Sequence, residues 1–544
     1  MAEPAPRWRP LRMTGWFDPA VLTRTAAMLL TANVFGRHSD KRLIEALAGE
    51  PQDIFEYRDE AGDFWLDYVA DIGDGWNSTH AIAQGIATPE LHGTQRGGVL
   101  VIGGDAIYPY PSRSAYEHHT VEPYREAFAR HEHRPDVFAI PGNHDWLDSL
   151  IAFTRLFCHP QPGFAGCRTR QTRSYFALAL PHDWWLLGVD LQLGADFDER
   201  QLQYFRGVAS HMSPAARVIL CVPEPQWVYA HLYPAYEEYT TRTLEFFRND
   251  VIGRPVPLTL TGDLHFYMRH TSSKGEHKVI SGGGGAFLHP THRPALKELK
   301  DARDTFSEQA CYPPKRTARA LAWGNLLFPF VNPKACVLPG VVYALSAWFA
   351  SSRLVPSDLD TLSATFRAAT SAAMRDPVCG LWLLLVVSCI VFFTDTHSRL
   401  YRNIGGAAHA IAHLSVSLVL AWLAARFTTD VLGLGYGERL QLAIAGLLVF
   451  ISGGFVGGCV LGLYLLVSIN LFGRHNTEAF SSLRVQDYKQ WLRLRIDTSG
   501  ALTAWAFAID RVPRRWRASA DGTPEPDDAR ATPPRVVDSF SVPK

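Results

Sequence analysis

The sequence predicts an α/β domain followed by an α-helical transmembrane bundle of about four spans. Three observations carry this. Charged residues are dense up to about Arg319 and sparse from there to Gly473. Before that point, short apolar runs alternate with Gly-, Asp- and Pro-rich turns, the pattern of buried strands. After it come four stretches apolar enough to cross a bilayer, which takes roughly 20 residues in a helix.

The bulk numbers set the frame. A chain of 544 residues is too long for one compact core, so at least two domains are expected. Lys+Arg and Asp+Glu both number 53. The balance excludes a global basic field, so there is no nucleic-acid-binding signal. Residues 1–12 are polar and Pro-rich, and the apolar stretch Ala26–Val34 is short and broken by Asn33. Neither reads as a secretory signal, which places the first domain in the cytoplasm. The eight cysteines lack metal-type spacing. They read as reduced thiols, with a Cys158–Cys167 pair as the alternative.

In order along the chain, residues 1–60 read as a helical lead-in and 61–300 as the α/β domain. Strands are expected at Leu66–Ala70, Gly98–Ile102, Asp136–Ile140, Trp184–Val189, Ala216–Val222, Val256–Leu260 and His277–Ser281. Several end at Gly, Asp or His, where α/β folds place ligands. Residues 301–334 form a juxtamembrane connector, basic at Lys315, Arg316 and Arg319, in which Ala320–Pro333 reads as an interfacial helix or an extension of the first span. The transmembrane domain covers 335–473, with stretches Ala335–Ser352, Pro377–Thr394, Asn403–Ala425 and Leu440–Gly473. The last suits one tilted span, or two short spans hinged at Gly453–Gly454 or Gly457–Gly458, giving four or five in all. Arg399, Arg402 and the basic residues after Gly473 put three connecting regions on the cytoplasmic side. The expectation is a multi-pass protein of the inner or cell membrane whose lipid partner is the bilayer itself. His409 and His413 lie one turn apart inside the third span. They mark function or a hydrogen bond between helices. Residues 474–517 read as a further soluble segment and 518–544, rich in Pro, Asp and Ala, as a disordered tail.

Five motifs follow one another in the first domain: Asp71-Ile-Gly-Asp-Gly75, Gly104-Asp-Ala-Ile-Tyr108, Pro141-Gly-Asn-His-Asp-Trp146, Cys221-Val-Pro-Glu-Pro225 and Thr261-Gly-Asp-Leu-His265. They raise carboxylates, an amide oxygen and imidazoles on strand-to-loop turns, and their glycines let the backbone turn tightly. Hard oxygen donors with an imidazole suit divalent cations. Two such ions roughly 3.5–4 Å apart can clamp a phosphate and lower the pKa of a water.

This ordered series resembles the calcineurin-like metallophosphoesterase superfamily over about residues 65–290. The resemblance implies a two-sheet β-sandwich flanked by helices, and a hydrolase acting on a phosphoester. It implies that Asp71 and His265 bind a first metal, Asp105 bridges, Asn143 binds the second, and His144 contacts phosphate or protonates the leaving group. With the membrane stretches, the run Gly282-Gly-Gly-Gly-Ala-Phe-Leu-His-Pro-Thr-His292 looks like a membrane-anchored bacterial branch.

The sequence departs from the family pattern in three places. Gly73 stands where Asp-x-His has its histidine, a variant similar to purple acid phosphatases, in which a tyrosine at the Tyr108 spacing compensates. The fourth motif offers Glu224 in place of histidine. Asp263 replaces the first His of Gly-His-x-His. The second metal would then be held by Asp105, Asn143, Asp263 and Glu224, an oxygen-rich set that favours Mn, Fe or Mg, with Zn possible. Arg269, His270 and His289 are candidates for binding the substrate phosphate, and the glycine run either presents N–H groups to an anion or is a plain tight loop. The leading expectation is a metal-dependent phosphoester hydrolase. The alternatives are a degenerate domain that senses a metal or nucleotide for the membrane part, and a transporter with an accessory domain.

Overall fold

The computed structural model describes residues 8–35, 54–60, 62–159, 163–191, 196–233, 242–293, 296–301, 304–394 and 397–542. It divides into two compact units. One comprises Met1–Thr14, Thr23–Ala318 and Arg484–Lys544; the other comprises Gly15–Leu22 and Arg319–Leu483.

The first unit is mixed α/β with two large sheets. The nine-stranded sheet runs in the order Ile54–Glu56, Phe176–Ala179, Trp184–Gly188, Arg217–Cys221, Leu258–Thr261, His277–Ser281, Tyr267–Ser272, Asp304–Tyr312 and Glu298–Asp301. The seven-stranded sheet runs Arg535–Val542, Leu502–Ile509, Lys489–Ile496, Phe64–Val69, Val99–Gly103, Asp136–Ile140 and Arg168–Thr169. The seven expected strands all fall on observed ones, within a residue or two at each end.

Phe64–Val69, Val99–Gly103 and Asp136–Ile140 are parallel neighbours, as are Trp184–Gly188, Arg217–Cys221 and Leu258–Thr261. Nearly every residue in these strands is buried, which is why they read as continuous apolar runs rather than alternating ones. Parallel pairing also brings their carboxyl ends to one edge, where the motif loops begin. Strand alternation sorts the core. Val99 and Val101 join Leu66, Phe138, Leu186, Ile219 and Leu260 in a cluster fed by both sheets. Leu100 and Ile102 join a second cluster with Ile82 and Ile86 of helix Trp76–Ala87 and Tyr124 and Phe128 of helix Glu122–Phe128.

Three expectations about organisation are corrected. Residues 474–517 do not form a separate segment, because Lys489–Ile496 pairs antiparallel with Phe64–Val69 inside the seven-stranded sheet. The tail is not disordered: Trp516–Ala518 pairs with Pro524–Pro526, and Arg535–Val542 pairs with Leu502–Ile509. Its Pro, Asp and Ala content hid a short strand that buries Phe540 and Val542. The connector is also partly sheet, since Asp304–Tyr312 is a strand of the first unit. In the lead-in, a helix spans Pro19–Phe35 and Ile54–Glu56 is a strand, while residues 36–53 lie outside the described ones.

The second unit is helical. Three of its helices are long and apolar enough to cross a membrane: Pro377–Thr394, Arg399–Val431 and Arg439–Phe472. Val337–Ala350 is apolar but shorter. Leu381, Leu384, Phe392, Ile404, Ile411 and Leu463 are exposed, the reverse of a water-soluble bundle. The stretch expected at Leu440–Gly473 forms one unbroken helix, so its glycines are not hinges. They allow close packing: a Cβ on Gly453 would lie 2.8 Å from the Tyr343 ring, and one on Gly457 2.6 Å from Pro339. Residues 320–333 form short helical turns that expose Trp323, Leu327 and Phe330.

Candidate active site

The site begins with three carboxylates on left-handed backbone. Asp71, Asp105 and Asp263 have φ of 58°, 46° and 66° and follow Phe64–Val69, Val99–Gly103 and Leu258–Thr261. Non-glycine residues adopt this region at a cost, and such strain collects where a side chain must be aimed. Glycines give the carboxylates room. A Cβ on Gly142 would lie 2.1 Å from Asp105 Oδ1, and one on Gly262 or Gly282 would lie 2.5 Å from Asp71 Oδ2.

The Tyr108 hydroxyl is the point of convergence. It stands 2.8 Å from Asp71 Oδ1, 3.0 Å from Asp105 Oδ2 and 3.0 Å from His265 Nε2. Backbone N–H groups fix the second carboxylate oxygens: His144 N donates to Asp105 Oδ1 at 2.8 Å and Asp263 N to Asp71 Oδ2 at 2.8 Å. Asp263 accepts a hydrogen bond from the Tyr229 hydroxyl.

The histidine tautomers follow from their partners. His265 Nδ1 lies 2.7 Å from Phe287 O and His144 Nδ1 2.7 Å from Pro109 O. A carbonyl only accepts, so each Nδ1 carries the proton, and Nε2 of each neutral ring has the lone pair. Burial pushes the His265 pKa down to about 3 and lowers that of His144. His265 presents a bare Nε2 towards Tyr108 and Asp71, the form in which imidazole ligates a metal.

The same burial works in the opposite direction on the carboxylates. Desolvation, then repulsion from Asp105 and Asp263, raises Asp71 well above the ordinary range. Desolvation, then repulsion from Asp263, lifts Asp105 to about 7. The donor chemistry fits a hard divalent cation, being rich in anionic oxygen with one neutral imidazole. Asn143 Oδ1 adds to that fit: it is buried and has no hydrogen-bond partner among the described residues. His, Cys, Asp and Glu alone form no metal-holding group of three among those residues. The donors converge only when Tyr108 is counted, with the phenol at their centre.

Other expected residues fall differently. His289 belongs to the site, stacked on His265 at 4.0 Å. Arg269 does not: its guanidinium pairs with Asp538 at 2.7 Å. His270 bonds Leu296 O at 2.7 Å and is buried there. Both sit on Tyr267–Ser272 and are held by partners outside the site, Asp538 in the other sheet and the Leu296 carbonyl. Glu224 lies in the turn after Arg217–Cys221, ahead of the helix that carries Tyr229. Several N–H groups of the glycine run are used within the protein. Gly284 N donates to Ala70 O, Ala286 N to Asp71 O and Phe287 N to Asp74 Oδ2. Cys158 and Cys167 are unbridged.

Sequence reasoning missed four residues. Asp145 is fully buried and accepts from Gly142 N, Ala106 N and the Tyr116 hydroxyl, which ties the second motif to the third. Asp74 accepts from Thr14 N and Phe287 N. Both stand inside the motifs, so their position was a signal. Tyr229 and Lys489 had none. Lys489 Nζ is buried with no hydrogen-bond partner among the described residues. Desolvation lowers its pKa to about 7, against the pull of Asp487, Asp74 and Asp71.

No family model matches this sequence, and no curated protein does. Solved structures resemble it remotely, two of them as follows. One, described as GAP50, the anchor in the inner membrane complex of Plasmodium, shares 12% identity at a TM-score of 0.33, covering 45% of this chain and 78% of that one. The other, PhoD, shares 11% identity at a TM-score of 0.27, covering 46% of this chain and 64% of that one.

Proposed function

We propose that the chain is a membrane-anchored, divalent-metal-dependent phosphoester hydrolase of the calcineurin-like type. The observation that carries this is the meeting of Asp71, Asp105 and His265 on one phenol oxygen, with Asp263 bonded through its N–H to Asp71 and with Asn143, next in sequence to the His144 that holds Asp105, keeping an amide oxygen without a hydrogen-bond partner among the described residues. Asp71, Asp105, Tyr108, Asn143, Asp263 and His265 would hold two cations, and bound cations supply a Lewis acid and an acidified water. The chain's own residues then have distinct tasks. Asp145 fixes the loops of Asp105 and Asn143. His265 keeps its lone pair on Nε2. His144, held through Nδ1 with its lone pair on Nε2, would take up a proton there and pass it to the leaving oxygen. The core shared by the two sheets supports the sandwich reading.

Anchoring follows from connectivity. Residues before Ala318 and after Arg484 share one sheet through Phe64–Val69 and Lys489–Ile496. They therefore lie in one compartment, and a chain that leaves and re-enters a compartment crosses a bilayer an even number of times. Three long helices are an odd number, so the shorter Val337–Ser351 supplies a fourth span. The basic connections support a cytoplasmic catalytic unit.

The test is hydrolysis of p-nitrophenyl phosphate and bis-p-nitrophenyl phosphate by the purified full chain, with Mn²⁺, Mg²⁺, Fe²⁺ and Zn²⁺ in turn. Asp105→Asn and His144→Ala should cut the metal-dependent rate by orders of magnitude. No hydrolysis with any metal would reject the enzyme. One feature favours a second reading, a metal sensor without turnover: the Tyr108 and Tyr229 hydroxyls already hydrogen-bond Asp71, Asp105 and Asp263. Stoichiometric metal without turnover would support that reading.

A further inference from the structure

The helical unit contains a line of imidazoles and phenols that the phosphoesterase reading leaves unused. Near the ends of Pro377–Thr394 and Arg439–Val467, His475 stacks on Phe393 at 5.2 Å and its Nδ1 lies 3.6 Å from Glu478. His475 Nε2 is 2.9 Å from the Tyr464 hydroxyl. The Tyr464 ring lies flat on His409, centroids 3.8 Å apart and 5° from parallel. His409 Nε2 and His413 Nε2 face each other at 2.9 Å. His413 Nδ1 then meets the Tyr343 hydroxyl at 2.8 Å.

Two features of this line point beyond packing. Two imidazole nitrogens at 2.9 Å must share one proton, since two lone pairs or two N–H groups would repel. His409 is only 5% exposed, and its Nδ1 has no hydrogen-bond partner among the described residues. A buried polar atom of this kind carries a penalty that a packed helix pair does not need.

One helical turn from Tyr343 and His413 lies a cavity of about 300 Å³. Ser346, one turn from Tyr343, and Ser417, one turn from His413, line it. It extends to Thr370 and Ala373 on helix Leu362–Arg375. That helix joins the far ends of the same bundle, where Cys379 Sγ bonds Phe349 O at 3.4 Å.

We propose that this line is a proton relay through the helical unit, a function that rests on the membrane reading of these helices but not on the phosphoesterase chemistry. A proton arriving at Nδ1 of neutral His409 makes an imidazolium. Its Nε2 proton passes to His413 Nε2, and the Nδ1 proton of His413 passes to the Tyr343 oxygen. The original Tyr343 proton leaves towards the cavity. One proton enters and one leaves, no bond between heavy atoms changes, and ring rotation resets the pair. The His409–Tyr464 stack is the one link without a hydrogen bond, and so sets the rate.

The test uses the purified full chain in phosphatidylcholine–phosphatidylglycerol vesicles loaded with a pH-sensitive dye, with a potassium diffusion potential as driving force. Flotation of the vesicles with the protein checks membrane insertion separately. Proton uptake at least tenfold faster than in protein-free vesicles is expected. His409→Phe and His413→Phe should return it to the protein-free rate. His413→Gln keeps a hydrogen-bonding side chain against Tyr343 but cannot pass a proton, so it should float normally and conduct nothing. A floated wild-type protein no faster than protein-free vesicles would overturn the proposal. So would a His413→Gln rate equal to that of wild type.

Discussion

Arg493 and Asp67 stand 426 positions apart and meet in a wholly buried ion pair, Nε to Oδ1 at 2.7 Å and Nη2 to Oδ2 at 3.3 Å. The pair is cross-strand, on the neighbours Lys489–Ile496 and Phe64–Val69. Gly97 N and Ile86 O complete its hydrogen bonds. Removing one partner of such a pair leaves an unpaired buried charge and costs about 3–5 kcal/mol. Asp67→Asn is expected to lower the denaturation midpoint accordingly and to weaken metal-dependent activity, because Asp71 leaves the same strand. The double change Asp67→Leu with Arg493→Met should recover most of the stability. A fragment ending at Ala318 lacks strands Lys489–Ile496 and Leu502–Ile509 and should not fold. A soluble version must join Ala318 to Arg484, and circular dichroism of the two decides this.

Gly73 shows why the departure from Asp-x-His cannot be reversed. Its φ is +78°, and a Cβ there would lie 2.4 Å from Thr120 Oγ1 and 2.6 Å from Ala106 O. Both conditions oppose any side chain. Gly73→His, which restores the family residue on paper, should destabilise the unit and abolish activity. A Gly73→His protein with wild-type stability and raised turnover would show that the position is open.

The motifs were legible because each combines glycine with a short polar side chain at the end of an apolar run, a purely local signal. Asp71, Asp105, Asn143 and His265 are found that way. What was not legible depends on register. Arg269 looks like a phosphate ligand by its nearness to His265, yet it reaches from one sheet to the other and pairs with Asp538 on the last strand. Lys489 and Arg493 read as basic residues following the last span, because nothing local says that the chain returns to the first sheet. The tail was judged by composition, which averages away an eight-residue strand.

Tyr108→Phe separates the two readings of the site. The ring packs on His144 and His265 at 4.5 and 5.5 Å, and the substitution keeps that packing. If the hydroxyl is a ligand, metal content measured by atomic emission should fall and hydrolysis should drop by about 10²-fold or more. If the hydroxyl only neutralises a degenerate site by hydrogen bonding to Asp71 and Asp105, its loss should tighten metal binding instead.

The buried histidines of the first unit oppose folding in acid, while the raised carboxyls of Asp71 and Asp105 act in the opposite direction. Burial holds His80 neutral, with a pKa pushed down to about 4 from the usual 6.5, and His277 likewise. Both groups are neutral in folded and unfolded chains above pH 6.5, and their contribution is intact there. As the pH falls from 6.5 towards 4, the unfolded chain takes up protons that the folded one refuses, and stability is lost by about 1.4 kcal/mol per pH unit per group. Below about 4 the loss is complete. The histidine contribution is read by comparison: between pH 7.5 and 4.5 the urea midpoint of His80→Gln, followed by tryptophan fluorescence, should fall less, or rise more, than that of wild type.

Membrane crossing has a parity that labelling can read. Phe64–Val69 and Lys489–Ile496 belong to one sheet, so an odd number of crossings would tear the first unit across the bilayer. With four spans, Ser357 before helix Leu362–Arg375 and Gly435 before helix Arg439–Val467 lie on one side. Ser398 and Thr503 lie on the other. Cysteines placed singly at these positions, in a chain whose native cysteines are replaced, should react with an impermeant maleimide as two pairs. Ser357→Cys and Gly435→Cys should react from outside intact cells, and Ser398→Cys and Thr503→Cys only after permeabilisation. Labelling of Ser357→Cys on the same side as Thr503→Cys would mean that Val337–Ser351 does not cross, and connectivity would then require one of the three long helices to stay on one side as well.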